Sequence, residues 1–521
     1  MTRRSTITLC SVVLASAGQS IGQAVDFRTV HVTGQTLTGT AATAASDYNY
    51  LKYNDAGEAA FWVDLFNFNS NFDTAYFTDA GGNGLVKAVQ EGDAVPDRTD
   101  SATFSNLGDF QFNESGDVGF LSGYRNAGAL NAGVHLFSSG ASGVETILQE
   151  GDDAPVGTTF TSFSSGSKMN NAGDFLISGF YDRVSPVSFE NDTGVVTTTS
   201  GTNTLIAQEG DVAPGLTGTF FGSLNTNNLT FNDSEDVAFG AALTGDDITG
   251  ANDFAIYTNR NGPLTLLLRD GDNVTGLPSD VFFGSIAGRF NTNSEGKLAF
   301  GAFLSGNTTS SGNTAIIVEG DSGFEAVARR GNQAAGLESG VTYSSINSNS
   351  LATNDTLDVA FYSSLGNTAS NANWAIFSDA SGTMQAIVRE GRQAAGFADG
   401  TLFTSATQGS IKLNDLGQVA FYANVSGGDS GIFITDLAGE LQLIVGTGQL
   451  FDVNDDPLID DLREISSIGS NFAFNNLGEA FFELSFTDGT RGVFASVIPA
   501  PGATGLLAAA ALLCVPRPRR R

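Results

Sequence analysis

Apolar residues in this chain fall in short runs, several of them alternating with polar positions, and segments rich in Gly, Ser, Asn, Asp and Thr separate the runs. One stretch shows the pattern well. Phe104–Phe112 alternates in places, and Val118–Leu121, Gly133–Phe137 and Val144–Leu148 follow it after turn-forming gaps. Short runs with period-two character, bounded by turn formers, predict β-strands. Outside the two ends of the chain no long stretch has a helical period, so the predicted class is all-β.

Groups of four such runs repeat, and a phrase marks each group: an Asn, two residues, usually a Gly, two more residues, then a small residue and an aromatic or aliphatic one. It starts at Asn54, Asn113, Asn170, Asn232, Asn293, Asn354, Asn414 and Asn475 and ends seven residues later at Phe61, Phe120, Ile177, Phe239, Phe300, Phe361, Phe421 and Phe482. A fixed period of about sixty residues is the signature of a repeat architecture. A lone four-stranded sheet cannot bury both of its faces, so the units must stack, and radial stacking makes a β-propeller.

The chain ends choose between a closed ring and an open row. After the eighth phrase only a third strand, Gly492–Val497, remains. The missing fourth strand has a counterpart at the other end, where Arg28–Gly39 (RTVHVTGQTLTG) resembles outer strands and their exits such as Glu145–Gly157 (ETILQEGDDAPVG). Strand pairing between the two ends removes the exposed edges of an open row. The prediction is an eight-bladed propeller over residues 25–498, with strand 28–33 outermost in the last blade.

The phrase itself reads as the turn between the first and second strands. Asn favours the first position of a type I turn, and a Gly three residues on accepts the positive φ that closes the hairpin. At Glu235 and Leu357 the Gly is absent; these two turns are expected to use another geometry or to carry strain of about 1 kcal/mol. The apolar residue that ends each phrase is expected to face an adjacent blade. The phrase is thus assigned to folding, and function is sought where the copies differ.

With 521 residues, 64 Gly and 40 Phe, the composition supplies both turns and burial. Residues 1–24 read as a secretory signal peptide: Arg3 and Arg4, an apolar Ile7–Ala15, and Gly22-Gln23-Ala24 as a small-residue cleavage site. Residues 499–521 combine Pro499-Ala500-Pro501-Gly502, an apolar run Ala503–Val515, and Arg517, Arg519, Arg520 and Arg521. That run is short for a membrane span. The segment resembles the C-terminal sorting signal of bacterial PEP-CTERM proteins, although its Pro motif lacks the Glu. The resemblance implies handling by a sorting machinery and contact with the membrane only before processing.

Cys10 and Cys514 both lie in these terminal segments, which leaves a processed chain without thiols for disulfides or thiolate metal sites. The net charge is −32, and trimming both ends removes Arg but no acid. Nucleic acid and anionic lipid are not expected as partners on this ground. From Asn54 to Phe482 the chain resembles bacterial exported proteins with tandem NxxGxxAF repeats. That resemblance implies a secreted or surface-displayed repeat protein and brings no catalytic residue with it.

A second phrase follows the fourth strand: Glu91-Gly92-Asp93, Glu150-Gly151-Asp152, Glu209-Gly210-Asp211 and Asp270-Gly271-Asp272, lost in later units. These eight acids, Glu91, Asp93, Glu150, Asp152, Glu209, Asp211, Asp270 and Asp272, are the candidate ligand-binding set, able to collect Ca²⁺ or a hydroxyl-rich polymer on one face. The competing reading makes the Gly a device for leaving the sheet and the acids caps on local amides. Asp452, Asn454 and Asp456 form a candidate calcium loop. An EF-hand is excluded there, because Pro457 and Arg463 stand where Gly and Glu are needed.

His31 and His135 are the only histidines. A three-His zinc centre is therefore impossible, and both read as ordinary strand residues. Trp62 and Trp374 could stack on sugars only if exposed, and the variable segments 122–131, 182–192 and 244–253 are better places for a ligand. The leading expectation is a non-enzymatic exported propeller that binds extracellular polysaccharide or a surface protein through a loop-rich acidic face. The alternatives are a carboxylate-dependent polysaccharide-processing enzyme and a calcium-stabilised adhesion or scaffold propeller, calcium being the one candidate cofactor.

Overall fold

The computed structural model describes residues 26–497 except 41–44, 66–71, 83, 97, 127–128, 139–142, 185–186, 188–189, 310–311 and 457. Residues 1–24 and 499–521, expected to be signal and sorting segments, lie outside the described residues. The chain folds as an eight-bladed β-propeller. Blade 1 is built from Ala45–Tyr53, Ala59–Leu65, Thr74–Thr78 and Val86–Gln90, and blade 2 from Thr103–Phe112, Val118–Asn126, Ala129–Phe137 and Val144–Gln149. In both, neighbouring strands follow chain order and pair antiparallel.

The first strands neighbour one another in sequence around the molecule, and that of the eighth blade neighbours that of the first. They therefore line a central channel. In blades 3, 5, 6, 7 and 8 this strand is broken in two, as in Val281–Ile286 and Asn291–Thr292 of blade 5, a break that the sequence pattern did not reveal. The last blade closes as expected. Asp26–Val32 lies beside Arg491–Val497 at the outside of its sheet, the Thr33 N–H donates to the Arg491 carbonyl at 2.8 Å, and the Arg491 N–H donates to Thr33 Oγ1 at 3.0 Å.

The core lies between blades. Ala238 and Ile256 of blade 4, for example, pack with Val281, Phe283 and Phe300 of blade 5. Seven of the eight phrase-ending residues have no exposure, and Phe120 has 2%. Each fully buried Phe contributes roughly 2–3 kcal/mol. Phe61 shares a cluster with Phe481, Val493 and Ala495, so the junction of the last blade with the first is as apolar as the others.

The Asn phrase does more than turn the chain. In each copy the Asn Oδ1 accepts the N–H four residues on, as at Glu58 (2.9 Å), Asp236 (2.8 Å) and Glu479 (2.9 Å). Its Nδ2 reaches the neighbouring blade. Asn54 donates to the carbonyl of Asn113, Asn113 to Asn170, Asn232 to Ser294, Asn293 to Asp355, Asn414 to Asn475, and Asn475 back to Asn54, at 2.9–3.3 Å. At the other two junctions the next residue makes the link: the Asn171 N–H donates to Asp233 and the Asp355 N–H to Asp415. All eight junctions are thus tied in one ring.

The turn Asp436–Glu440 in blade 7 shows why Asn, and not Asp, suits the six positions whose Nδ2 crosses to the next blade. Asp436 Oδ1 accepts the N–H groups of Ala438 and Glu440 in the same pattern. Turn chemistry accepts either residue; only Asn adds a donor for the next blade. The two phrases without Gly keep the same turn. Glu235 and Leu357 take φ of 60° and 61° and retain the closing bond to Asn232 and Asn354, so of the two expected outcomes it is strain that is realised.

Candidate functional site

The Glu-Gly-Asp phrases sit where each outer strand leaves its sheet. Gly92, Gly151, Gly210 and Gly271 take φ between 84° and 91°. Their N–H groups donate to the first strand of the next blade, at Phe104, Phe160, Phe221 and Phe283. The third residue is a cap: the carboxylates of Asp93, Asp152, Asp211 and Asp272 accept the N–H three residues back, at 2.8, 2.9, 3.2 and 2.7 Å. In blade 7 Gln449 makes the same bond to Gly446 at 2.9 Å, so the position requires an acceptor and not a charge.

The first residues of these phrases have more varied surroundings. Glu209 accepts a bond from Thr193 Oγ1 at 2.6 Å. Burial raises the carboxyls of Glu91, Glu150 and Asp270, with Asp73 and Asp253 adding to the effect at Glu91 and Asp270. The eight predicted acids are distributed one pair per blade junction around a face and do not converge. Glu150 lines a cleft of about 380 Å³ between blades 2 and 3.

That cleft is lined by polar groups held on strands. Asn106, Asp109 and Gln111 come from the innermost strand of blade 2, Ser122 from its second, Asn131 from its third, and Ser165 and Ser167 from the break in the inner strand of blade 3. Ser122 Oγ is buried and has no hydrogen-bond partner among the described residues. Asp109 is paired with Lys52 of blade 1 at 3.1 Å. The result is a wall of amides and hydroxyls with one raised carboxyl and one paired carboxylate, suited to a ligand with many hydroxyl groups.

The loop proposed for calcium caps itself. Asp452 Oδ1 accepts the N–H groups of Asn454 and Asp461, Asn454 accepts that of Asp456, and Asp456 that of Leu458, all at 3.0 Å. Asp455 ties the loop to the N-terminal strand through the Thr29 N–H at 2.9 Å. A cleft of about 610 Å³ lies between this loop and Thr29–Gln35. Among the described residues no group of three or more His, Cys, Asp or Glu is arranged to hold a metal ion.

Both histidines are core residues. Burial lowers His31 to about 4 and His135 to about 3; His31 Nδ1 lies 2.7 Å from the Tyr48 hydroxyl, and His135 packs between Phe104 and Phe120. Trp374 is buried against Tyr362 and donates to the Thr404 carbonyl, while half-buried Trp62 donates to that of Leu107. Of the variable segments, 182–192 contributes Asp182, Arg183 and Asp192 to a cleft of about 370 Å³. Sequence reasoning named Glu150 and the segment 122–131, of which Ser122 and Asn131 line the inter-blade cleft, but missed their convergence with Asn106, Asp109 and Ser167, since the lining comes from three strands and two loops with no common motif.

The profile of a family described as "Family of unknown function (DUF7453)" matches residues 20–323 and again 279–504. The chain belongs to this family. The two matches overlap and together span the propeller, as tandem units allow. No curated protein matches the chain. Solved structures similar to this DUF7453 chain include the Dos1 propeller, 8% identical, covering 90% of this chain and 95% of that one with a TM-score of 0.39. Oligogalacturonate lyase from Vibrio parahaemolyticus is 11% identical, with 80% and 98% covered and a TM-score of 0.36. The acylaminoacyl peptidase of Pyrococcus horikoshii is 11% identical, with 88% of this chain covered and a TM-score of 0.34. This chain spans 59% of that peptidase's length. These likenesses concern the fold alone.

Proposed function

We propose that this DUF7453 chain is an exported, surface-displayed or released propeller that binds a hydroxyl-rich extracellular polymer without transforming it. The observation that carries the reading is the cleft between blades 2 and 3, where Asn106, Gln111, Asn131 and the Ser122 hydroxyl offer fixed donors and acceptors beside Glu150. Export is supported by the basic start, apolar run and small-residue site of residues 1–24 and by the Pro-led, Arg-ended segment 499–521.

The test is a screen of the mature chain on an array of bacterial and plant polysaccharides, repeated with Asn131→Ala and Glu150→Gln. Binding that both variants weaken supports the reading; binding that neither changes removes the cleft from it. One observation favours a rival. Glu150, raised by burial, and the ion-paired Asp109 line the same cleft, and two carboxyls in unlike surroundings are what acid–base cleavage of a glycoside uses. Product release from a polysaccharide by the native chain, lost in Glu150→Gln, would replace binding with catalysis.

A further inference from the structure

Every second blade places a cation on the wall of the central channel. Lys52, Lys168 and Lys412 each stand two residues before the phrase Asn of blades 1, 3 and 7, and Arg289 stands four residues before that of blade 5. The three lysines lie on the innermost strands, which neighbour one another around the closed ring, and Arg289 lies in the break of the innermost strand of blade 5. In an eight-bladed ring, blades 1, 3, 5 and 7 are a quarter-turn apart, so these four side chains approach the axis from four sides.

The cations sense one another across blades that do not touch. Besides burial, the charges of Arg289 and Lys52 lower Lys168, with Asp109 opposing them, and that of Lys52 lowers Lys412, the cations in each case standing two blades away. Side chains that far apart around the ring meet only through the channel. Lys52 is paired with Asp109 at 3.1 Å and lies over the Phe110 ring. Lys168, Arg289 and Lys412 have no ion pair or side-chain hydrogen bond among the described residues. The remaining blades put Gln111, Thr230, Asn291, Ala352 and Ala473 at the register of the lysines, and none of these is an acid.

This concentration of positive charge stands out in a chain with 24 basic and 56 acidic residues. Asp109 is the acid that stands among these cations, and Asp55, Glu114, Asp233, Asp355 and Asp415 follow the phrase Asn, three residues past the lysine register, in the turns at the mouth. Burial, followed by the neighbouring cations, lowers the proton affinity of Lys168 and Lys412. A bound counter-charge would relieve that cost.

We propose that the central channel holds an oxyanion, a carboxylate, sulfate or phosphate group, between Lys52, Lys168, Arg289 and Lys412. Acids stand at both mouths, in the turns after the phrase Asn and at the outer-strand exits, so a single small oxyanion suits the channel better than a long polyanion. This site meets the polymer cleft at Asp109, the partner of Lys52, but Lys168, Arg289 and Lys412 do not line that cleft, so the variants below test the channel alone.

The test is calorimetric titration of the intact mature chain at low ionic strength with inorganic phosphate, with sulfate and with trigalacturonate. Saturable binding that weakens roughly tenfold or more in Lys168→Met/Lys412→Met, and is retained in Lys168→Arg/Lys412→Arg, is the expected result. The Met variant is also expected to melt no lower than the native chain without ligand, because like-charge repulsion has been removed. Tighter binding of trigalacturonate than of phosphate assigns the site to an acidic saccharide, and the reverse order to a free oxyanion. Absence of binding by all three probes, or equal affinity in the Met variant, overturns the proposal. Should the Met variant fold poorly, NMR titration of the native lysine side chains decides: a rise in the pKa of Lys168 and Lys412 on adding phosphate is expected, and an unchanged titration overturns it.

Discussion

Asn475→Asp separates a turn from a ring. The substitution keeps the acceptor that takes the N–H groups of Leu477 (3.1 Å) and Glu479 (2.9 Å), and removes the donor that reaches the Asn54 carbonyl (3.1 Å) and the Glu479 carboxylate (3.3 Å). Asn475 is 4% exposed, so the new carboxylate would sit buried beside a carbonyl oxygen and a second carboxylate. A lost neutral bond is worth about 1 kcal/mol and a lost bond to a charged acceptor about 2 kcal/mol, which gives a destabilisation of about 3 kcal/mol before like-charge repulsion is added. For a cooperative unit of this length, unfolding entropy makes 1 kcal/mol equivalent to about 1 °C, so a drop of about 3 °C is expected. Calorimetric melting at neutral pH, with Asp436→Asn as the control turn outside the ring, is the assay. Loss at 475 with no change at 436 is predicted. If both variants melt with the native chain, the phrase is only a turn and the inter-blade donor contributes nothing.

Glu235→Gly should raise the unfolding free energy by about 1 kcal/mol in urea titrations, because Gly accepts the φ of 60° that Glu235 bears. The same change at Leu357, φ 61° but 6% exposed and packed in the core, should cost about 2 kcal/mol. Glu483, buried near Asp47 with Arg491 at 3.8 Å, is raised to about 7. A carboxyl raised in the fold contributes stability below its unfolded value of about 4.5 and loses it as pH rises through 7; relative to Glu483→Gln, the native chain should lose roughly 3 kcal/mol between pH 4.5 and pH 7, and parallel pH profiles would exclude this. Deleting residues 25–39 removes the buried Val32 and Leu37 together with the outer strand of blade 8, and a destabilisation of about 5 kcal/mol is expected; an unchanged melting curve would show that the N-terminal strand does not close the ring.

Much of the architecture was legible because the physics of a repeat is written once per unit. Phe104–Phe112 and Val144–Leu148 announced strands within one residue of those observed, and residues 28–33 announced the strand that completes the last blade. The donor role of the phrase Asn was hidden, because Asn and Asp are equivalent to a turn and differ only in what a neighbouring blade requires. The acids at 93, 152, 211 and 272 were legible as a pattern but ambiguous in purpose, since a cap and a ligand both need an oxygen. Glu150 and the segment 122–131 were named as candidates, but their convergence in one cleft was invisible, as were the channel cations. Asn106, Ser122, Asn131 and Ser167 lie on separate elements, and Lys52, Lys168 and Lys412 become neighbours only when the ring closes.

The central claim is that the repeated positions build the ring and that ligand contact belongs to positions where the blades differ. Hydrogen exchange on the intact mature chain, with and without the polysaccharide selected by the array, tests it most directly. The account predicts slowed exchange confined to 106–111, 119–123, 131–132 and 165–167, with the loops at Gly92, Gly210, Gly271, Gly331 and Gly391 unchanged. Protection spread evenly over those equivalent loops, with none in the cleft, would contradict it.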